Sequence, residues 1–200
     1  MTSIVIAEDQ GLLRGALASL LRLEDGIEIA GEASDGREAW DLIRRDPPDV
    51  LVTDIEMPGM TGLELAYAIK RDGLSVRVLI VTTWARPGYL RRALEAGVSG
   101  YLLKDTPAGD LAAAIRAVAA GERVIAPDLA AMAWEEADPL SDTERRLLRL
   151  AEAGLDSPAI ADATGLARGT VRNYLHEAIS KLGASNRIEA ARLARAKGWL

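Results

Sequence analysis

The first 120 residues repeat one pattern five times, a short apolar run followed by a longer amphipathic segment. The short runs are aliphatic or β-branched, as buried parallel strands are, whereas the longer segments space their apolar residues three or four apart, as helices do. The predicted strands are residues 3–7, 27–31, 50–54, 76–82 and 100–103. Five such units predict an α/β fold, a five-stranded doubly wound parallel sheet whose reactive edge lies at the carboxyl ends of the strands.

The rest of the chain has a different pattern. We expect a first domain at residues 1–121, a linker at 122–139 with a short helix at 129–134, and an all-helical second domain at 140–200. Ser141 and Glu144 have the spacing of a capping box, and Pro158 suits the first turn of a helix. A recognition helix is predicted from about Gly169 to Leu182, after a turn at Gly165.

Composition limits the class of protein. The chain is 49% hydrophobic and 27% charged, which is typical of a globular protein and not of a disordered one. It has neither an apolar run long enough for a membrane span nor a cysteine, so we expect a cytoplasmic protein. Residues 1–139 carry a net charge of −9 and residues 140–200 a net charge of +3, a distribution that favours a metal-binding or phosphorylation domain beside a nucleic-acid-binding one.

Charged and hydroxyl side chains follow four of the predicted strands. Glu8 and Asp9 follow the first strand and Asp54 follows the third, so three carboxylates meet at one edge of the sheet. Clustered carboxylates repel one another unless a cation binds, and their hard oxygen ligands suit Mg²⁺. With Thr82 after the fourth strand and Lys104 after the fifth, the set predicts phosphoryl transfer, in which a carboxylate attacks and cations stabilise the phosphoryl oxygens.

The same residues lie in motifs that resemble the receiver domain of two-component response regulators. The motifs are residues 6–10 (IAEDQ), 54–59 (DIEMPG) with Gly62, 81–83 (VTT) and 96–104 (AGVSGYLLK). The resemblance implies that Asp54 accepts a phosphoryl group from the phosphohistidine of a sensor histidine kinase. It also implies that the backbone carbonyl of Glu56 joins Glu8, Asp9 and Asp54 in binding Mg²⁺. Thr82 and Lys104 would bind the phosphoryl oxygens, and Tyr101 would be the aromatic switch residue that moves with Thr82.

Two positions that vary within this family are Glu56 and Trp84 here. Both would flank the path of water to the acyl phosphate, and we expect them to lengthen the lifetime of the phosphorylated state.

The chain from Leu140 onward resembles the LuxR-type helix-turn-helix of the NarL/FixJ regulators. The matching positions are 140–141 (LS), Glu144, 147–148 (LL), Leu150, 153–154 (AG), 160–161 (IA), Thr164, 170–171 (TV), Ile179, 181–183 (KLG), 186–187 (NR) and 189–190 (EA). On the recognition helix, the predicted DNA contacts are Arg168, Thr170, Arg172, Asn173, His176 and Lys181. Arg and Asn can read base edges, whereas Lys181 and Thr170 suit phosphate contacts. Asp156 stands where the family usually has serine, which predicts a weaker phosphate contact.

Residues 84–90 (WARPGYL), 186–190 (NRIEA) and 197–199 (KGW) resemble the DesR-like branch of this family. That resemblance implies a membrane-associated kinase and a target gene with a membrane or transport function. Phosphorylation would promote a homodimer on double-stranded promoter DNA, with RNA polymerase as a candidate further partner. Candidate dimer contacts are Leu12, Leu13, Ala16 and Leu20 on the first helix, and Leu111, Ile115 and Val118 on the fifth.

Two other functions would also use residues of this kind. A Mg²⁺-dependent phosphohydrolase also forms an aspartyl phosphate, but it would carry a second aspartate at position 56 and a cap insertion, and this chain has Glu56 and no insertion. A scaffold regulated without phosphorylation would lack an acidic residue, Thr82 or Lys104, and all are present. We therefore predict a transcription factor with no enzymatic activity beyond phosphoryl transfer to Asp54 and autodephosphorylation.

Overall fold

The computed structural model describes residues 1–83, 87–125 and 138–200, and it divides the chain into two compact units. The first includes residues 1–83 and the second includes residues 138–200. Trp84 and the predicted helix at 129–134 lie outside the described residues. Within the described residues, no helix is long and apolar enough to cross a membrane.

The first unit is built on a parallel sheet in the order β2-β1-β3-β4-β5-β6. Its strands are β1 (Thr2–Ala7), β2 (Ile27–Ala33), β3 (Val50–Thr53), β4 (Arg77–Thr82), β5 (Gly100–Leu103) and β6 (Val124–Ile125). The predicted doubly wound sheet is confirmed, but the count of five strands is wrong. A two-residue strand, β6, pairs with β5 inside the segment predicted as linker, and it was missed because two apolar residues give no periodic signal.

Five helices connect these strands or follow them. They are α1 (Gly11–Leu21), α2 (Gly36–Arg45), α3 (Gly62–Arg71), α4 (Pro87–Ala96) and α5 (Ala108–Ala119). Helices α1 and α5 contact each other and share one hydrophobic cluster with strands β1, β3 and β4. The apolar strands are almost entirely buried because helices cover the sheet, as a parallel sheet requires.

One predicted dimer surface is contradicted by this packing. Leu111, Ile115 and Val118 of α5 are buried in the core, where they cover the sheet and cannot contact a second copy. On α1 the solvent-facing side also carries apolar residues: Leu12 is 91% exposed, and Ala16 and Leu20 are also exposed. Only the α1 part of that prediction is still available for a dimer.

The second unit is helical throughout. Its helices are α6 (Asp142–Glu152), α7 (Ser157–Thr164), α8 (Arg168–Leu182) and α9 (Arg187–Ala196). The predicted capping box of Ser141 and Glu144 is present at the start of α6. Gly165 ends α7 with φ of 72°, a left-handed conformation that glycine adopts at little cost, and the tight turn to α8 follows. Side chains from all four helices and Trp199 form one hydrophobic core.

Candidate phosphoacceptor site and DNA-binding surface

The predicted site residues meet at the carboxyl edge of the sheet. Strand β1 pairs with β3 so that Ala7 faces Thr53, and β4 pairs with β5 so that Thr82 faces Leu103. The backbone N–H of Asp54 donates to the Ala7 carbonyl at 3.1 Å, and that of Lys104 donates to the Thr82 carbonyl at 2.8 Å. Because parallel strands in this register end together, the residues that follow them lie side by side.

Lys104 connects two of the carboxylates. Its Nζ lies 2.7 Å from Asp54 Oδ2 and 2.9 Å from Glu8 Oε2. Glu8 and Asp54 are 2% and 8% exposed, so the ammonium is held between two buried anions. A buried charge needs a partner of opposite sign, and here one ammonium contacts two carboxylates, so the triad keeps one excess negative charge.

The pKa values follow from this arrangement. Burial raises the pKa of Glu8 above its ordinary value of 4.5, and the hydrogen bond from Lys104 offsets only part of that effect. Burial alone would lower the pKa of Lys104, but its hydrogen bonds to Asp54 and Glu8 outweigh burial and raise that pKa above 10.5. Lys104 is consequently a permanent positive charge beside Asp54 at neutral pH.

A cation can be accommodated beside this triad. One carboxylate oxygen each from Glu8, Asp9 and Asp54 lies within 4.8 Å of the others. Asp9 is exposed while its two companions are buried, so the cluster opens to water on one side. Hard oxygen ligands with an open, hydrated side fit Mg²⁺, which keeps several of its waters when bound.

The loop after β3 brings its backbone close to Asp54. The N–H of Ile55 donates to Asp54 Oδ1 at 2.6 Å, and the N–H of Gly62 donates to the Ile55 carbonyl at 2.9 Å. A Cβ atom on Gly62 would lie 2.1 Å from the Asp54 carbonyl oxygen, so only glycine fits. Glu56 is exposed in the same loop.

The two predicted switch residues are interior. Thr82 ends β4 with 3% of its surface exposed, and Tyr101 of β5 is fully buried with its backbone opposite Ile80 of β4. Both therefore belong to the packed core next to the acidic edge.

Helix α8 presents a polar face on the second unit. Arg168, Arg172 and His176 recur every four residues and are exposed, as is Asn173, while Thr170 is half-buried. On the opposite side, Val171, Leu175 and Ala178 are buried in the hydrophobic core. One face of α8 therefore packs in the hydrophobic core, and the opposite face is exposed, as a helix that docks in the major groove of DNA requires.

Two protein-family models match the chain, one after the other along the sequence. The model described as "Response regulator receiver domain" matches residues 4–116, and the model "Bacterial regulatory proteins, luxR family" matches residues 138–194. The chain is a two-component response regulator. Its architecture is that of the NarL family, with a receiver domain and a LuxR-type DNA-binding domain.

This response regulator has similar relatives along its whole length. It is 49% identical over 199 residues to the transcriptional regulatory protein DesR of Bacillus subtilis, covering 100% of this chain and 99% of DesR. It is 46% identical over 200 residues to the uncharacterized transcriptional regulatory protein YvfU of the same organism, covering both chains completely. Among solved structures, the response regulator ChrA of a heme-sensing two-component system matches with a TM-score of 0.58 and 34% identity, covering 100% of this chain and 98% of ChrA.

Response regulators of this family regulate transcription and are not enzymes, which decides against the phosphohydrolase. The role of each site residue in this response regulator stays a prediction.

The response regulator also contains a contact that sequence reasoning missed. Arg14 of α1 donates from Nη1 to the Glu8 carbonyl at 2.6 Å and so holds the loop that carries Glu8 and Asp9. Nothing in the spacing of α1 distinguishes this arginine from a solvated one, because the contact depends on how the helix lies against the loop.

Lys181 was predicted to contact DNA phosphate, but its ammonium is already engaged. Its Nζ lies 2.8 Å from both carboxylate oxygens of Glu144, which is 1% exposed. Burial would raise the pKa of Glu144, but hydrogen bonds from Lys181 and Ser141 outweigh it and hold that pKa below 4.5. The pair joins the C-terminal end of α8 to the N-terminal turn of α6. The Lys181 side chain is 38% exposed, and its contact with DNA phosphate stays a prediction.

Proposed function

We propose that this response regulator accepts a phosphoryl group on Asp54 from a sensor histidine kinase and in that state binds promoter DNA to control transcription. The observation that carries the proposal is the position of Lys104, whose ammonium lies 2.7 Å from Asp54 and 2.9 Å from Glu8. A nucleophilic carboxylate, a fixed cation and a cluster of acidic metal ligands at one sheet edge are the components that phosphoryl transfer to aspartate needs.

The proposed transfer forms one bond and breaks one. A carboxylate oxygen of Asp54 attacks the phosphorus of a phosphohistidine, and the P–N bond breaks with its electron pair staying on the ring nitrogen. The ring leaves as neutral imidazole because its other nitrogen already carries a proton. Lys104 stabilises the negative charge on a phosphoryl oxygen, and the Thr82 hydroxyl donates to another. Mg²⁺, held by Glu8, Asp9, Asp54 and the Glu56 carbonyl, would neutralise the charge that builds up on the phosphoryl group.

The phosphoacceptor is tested with a small phosphodonor. Incubation with acetyl phosphate and Mg²⁺ should add one phosphoryl group to the wild type and to Asp41→Ala, and none to Asp54→Ala, when intact mass is measured. Asp41 is a suitable control because it is an exposed aspartate of α2, away from the acidic edge. Phosphorylation of Asp54→Ala, or of none of the three proteins, would contradict the proposal.

We further propose that Glu56 and Trp84 shield the acyl phosphate from water. Glu56 is exposed two residues after Asp54, where an anionic side chain would repel hydroxide and obstruct an attacking water. Autodephosphorylation should be faster in Glu56→Asn and Trp84→Ala than in the wild type, and unchanged rates would argue against shielding.

The proposed DNA contacts lie on the exposed face of α8. Arg172 and Asn173 suit base edges in the major groove, while Thr170 suits phosphate. Selection of duplexes from a random pool by the phosphorylated protein would give the preferred sequence. Asn173→Ala should then weaken binding to that sequence by about 1–3 kcal/mol and leave binding to unrelated DNA nearly unchanged. Equal loss on both kinds of DNA would show that Asn173 does not read a base.

A dimer is the third part of the proposal, and the exposed apolar side of α1 is its candidate contact. Leu12, Ala16 and Leu20 are exposed along that side. A two-fold dimer would place two recognition helices on two half-sites. Sedimentation should show that Leu12→Glu abolishes dimerisation of the phosphorylated protein and that Tyr67→Glu, at an exposed ring on α3, does not. An undiminished dimer in Leu12→Glu would exclude this surface.

A further inference from the structure

Glu8 is held at each of its polar groups. Its backbone N–H donates to the Ala33 carbonyl at 3.1 Å, and its own carbonyl accepts a hydrogen bond from Arg14 Nη1 at 2.6 Å. In its carboxylate, Oε1 accepts the backbone N–H of Gln10 at 3.2 Å and Oε2 lies 2.9 Å from the Lys104 ammonium. Of these four contacts, the one from Arg14 is made by a side chain of helix α1.

Asp9, the next residue, is held differently. It is exposed, and its carboxylate accepts no hydrogen bond and forms no ion pair with any residue that the structure describes. The carboxylate of Asp54, by contrast, is held by the N–H of Ile55 at 2.6 Å and by Lys104 at 2.7 Å. The position of the Asp9 carboxylate beside the other two therefore depends on the backbone of Asp9.

Arg14 acts on that backbone. The carbonyl that it binds belongs to the peptide bond between Glu8 and Asp9. Because a peptide group is planar, a fixed carbonyl also fixes the plane that joins the two Cα atoms, and a charged donor makes a strong hydrogen bond. Rotation of this peptide would move the Asp9 carboxylate relative to those of Glu8 and Asp54, which now offer oxygens within 4.8 Å of it.

The charge of Arg14 has the opposite effect on a bound cation. Arg14 forms no ion pair with the described residues, so its guanidinium is an unneutralised positive charge next to a loop that carries two acidic ligands. Repulsion alone would weaken the binding of Mg²⁺. Arg14 is only half-buried, so water screens this repulsion, whereas its hydrogen bond to the Glu8 carbonyl is direct. We expect the hydrogen bond to have the larger effect.

We propose that Arg14 is a positioning residue of the acidic cluster, which orients the peptide between Glu8 and Asp9 and so raises the affinity of the cluster for Mg²⁺. The inference rests on the phosphorylation of Asp54 proposed above, and it adds a residue of α1 on which the metal affinity of that site depends. Groups that hold metal ligands in place commonly contribute about tenfold to a hundredfold to metal affinity.

The test removes the donor of Arg14 and keeps most of the side chain. Arg14→Met has no N–H group to donate, whereas Arg14→Lys keeps a charged donor on a shorter side chain. Arg44→Gln is the matched control for the loss of a positive charge. Arg44 is an exposed arginine in the last turn of α2, near the start of β3 and so at the other edge of the sheet, and it forms no ion pair with the described residues.

Mg²⁺ binding is measured directly on the unphosphorylated full-length proteins. Titration with MgCl₂ is followed by the amide chemical shifts of residues 8–10 in nitrogen-15 NMR spectra, and circular dichroism verifies that each variant is folded. The rate of phosphorylation by acetyl phosphate is then measured by intact mass at a series of Mg²⁺ concentrations.

We expect the dissociation constant for Mg²⁺ to rise about tenfold in Arg14→Met and about threefold in Arg14→Lys, and to be unchanged in Arg44→Gln. The Mg²⁺ concentration that gives half of the maximal phosphorylation rate should rise by the same factors. The rate at saturating Mg²⁺ should stay within about twofold of the wild type, because the change affects binding of the metal and not the later step.

Three results would overturn the inference and leave the proposed function intact. Unchanged or tighter Mg²⁺ binding by both Arg14 variants, or by Arg14→Lys alone if Arg14→Met does not fold, would show that the guanidinium does not position the cluster. An equal loss of affinity in Arg44→Gln would make the effect one of net charge. A lower phosphorylation rate at saturating Mg²⁺ with unchanged Mg²⁺ affinity would show that Arg14 does not act through the metal.

Failure of the proposed function has a different signature. In that case the wild type itself would bind no Mg²⁺ at residues 8–10, or would not be phosphorylated on Asp54 by acetyl phosphate, and the inference about Arg14 would be overturned with it.

Discussion

Gly62 lies against the backbone of the residue next to which the acidic edge is built. A methyl group at Gly62 would overlap the Asp54 carbonyl oxygen, which lies 2.1 Å from the position of a Cβ. Gly62→Ala should therefore lower the free energy of unfolding by about 1–3 kcal/mol and slow phosphorylation of Asp54, because the loop must shift to make room. Urea unfolding and intact mass after acetyl phosphate treatment would measure the two effects.

The matched control is Gly109→Ala near the start of α5, where a Cβ would meet no atom within 4 Å. The free energy of unfolding of this variant should be unchanged or higher by about 0.5–1 kcal/mol, because alanine favours helix. Equal free energies of unfolding for the two variants would mean that the loop accommodates a methyl group at Gly62 without loss of stability.

Other residues at the acidic edge differ in how far the sequence predicts their contacts. Glu8, Asp54 and Lys104 were predictable as neighbours because parallel strands end at one edge, whichever helices cover them. The partners of Lys181 and Arg14 were not predictable, since a long side chain on a helix looks the same in sequence whether it reaches solvent, DNA or a buried carboxylate. Only the packing of one element against another decides this.

At the scale of elements, helix existence was easier to predict than helix orientation. Helix α5 buries Leu111, Ile115 and Val118, as an amphipathic helix should. Its apolar face therefore packs on the sheet and does not form a dimer contact. Helix α1 buries Ala18 and Leu21 and leaves Leu12 and Leu20 exposed. Because α1 is apolar on more than one side, its periodicity does not say which side faces the sheet.

The Glu144–Lys181 pair predicts a pH dependence. Since hydrogen bonds hold the pKa of Glu144 below 4.5, the ionised carboxylate stabilises the folded unit above that pH, and this contribution is lost as pH falls through the lowered pKa. Lys181→Met should lower the free energy of unfolding at pH 7 on the order of 1–3 kcal/mol, because it leaves a buried carboxylate without its cation. The difference in unfolding free energy between variant and wild type should narrow as the pH falls through the lowered pKa of Glu144, because the carboxylate is then protonated in both proteins.

Urea unfolding at several pH values, monitored by circular dichroism, would measure the difference in unfolding free energy between Lys181→Met and the wild type. Arg146→Met is a suitable control, because Arg146 is an exposed cation of α6 that forms no ion pair with the described residues. If this difference in unfolding free energy stays constant with pH, the role assigned to Glu144 is contradicted.

At the scale of the whole molecule, the sequence predicted two domains of different class and the family of each. What it could not predict was where the sheet ends. The regular units of strand and helix finish with α5 at Ala119, and the two residues of β6 follow within a segment that has the composition of a linker. Their strand conformation depends on pairing with β5, which is a long-range property that local pattern does not contain.

The short strand β6 determines where the receiver domain can be cut for recombinant expression. The N–H of Val124 donates to the Ser99 carbonyl at 2.9 Å, and β6 covers one side of β5 along Gly100 and Tyr101. A fragment that stops at Gly121 would leave the edge of β5 open to strand exchange with other copies. We expect fragment 1–121 to self-associate with rising concentration in sedimentation experiments and fragment 1–125 to stay monomeric when unphosphorylated. Equal self-association of the two fragments would mean that the two residues of β6 are too few to protect the edge of β5.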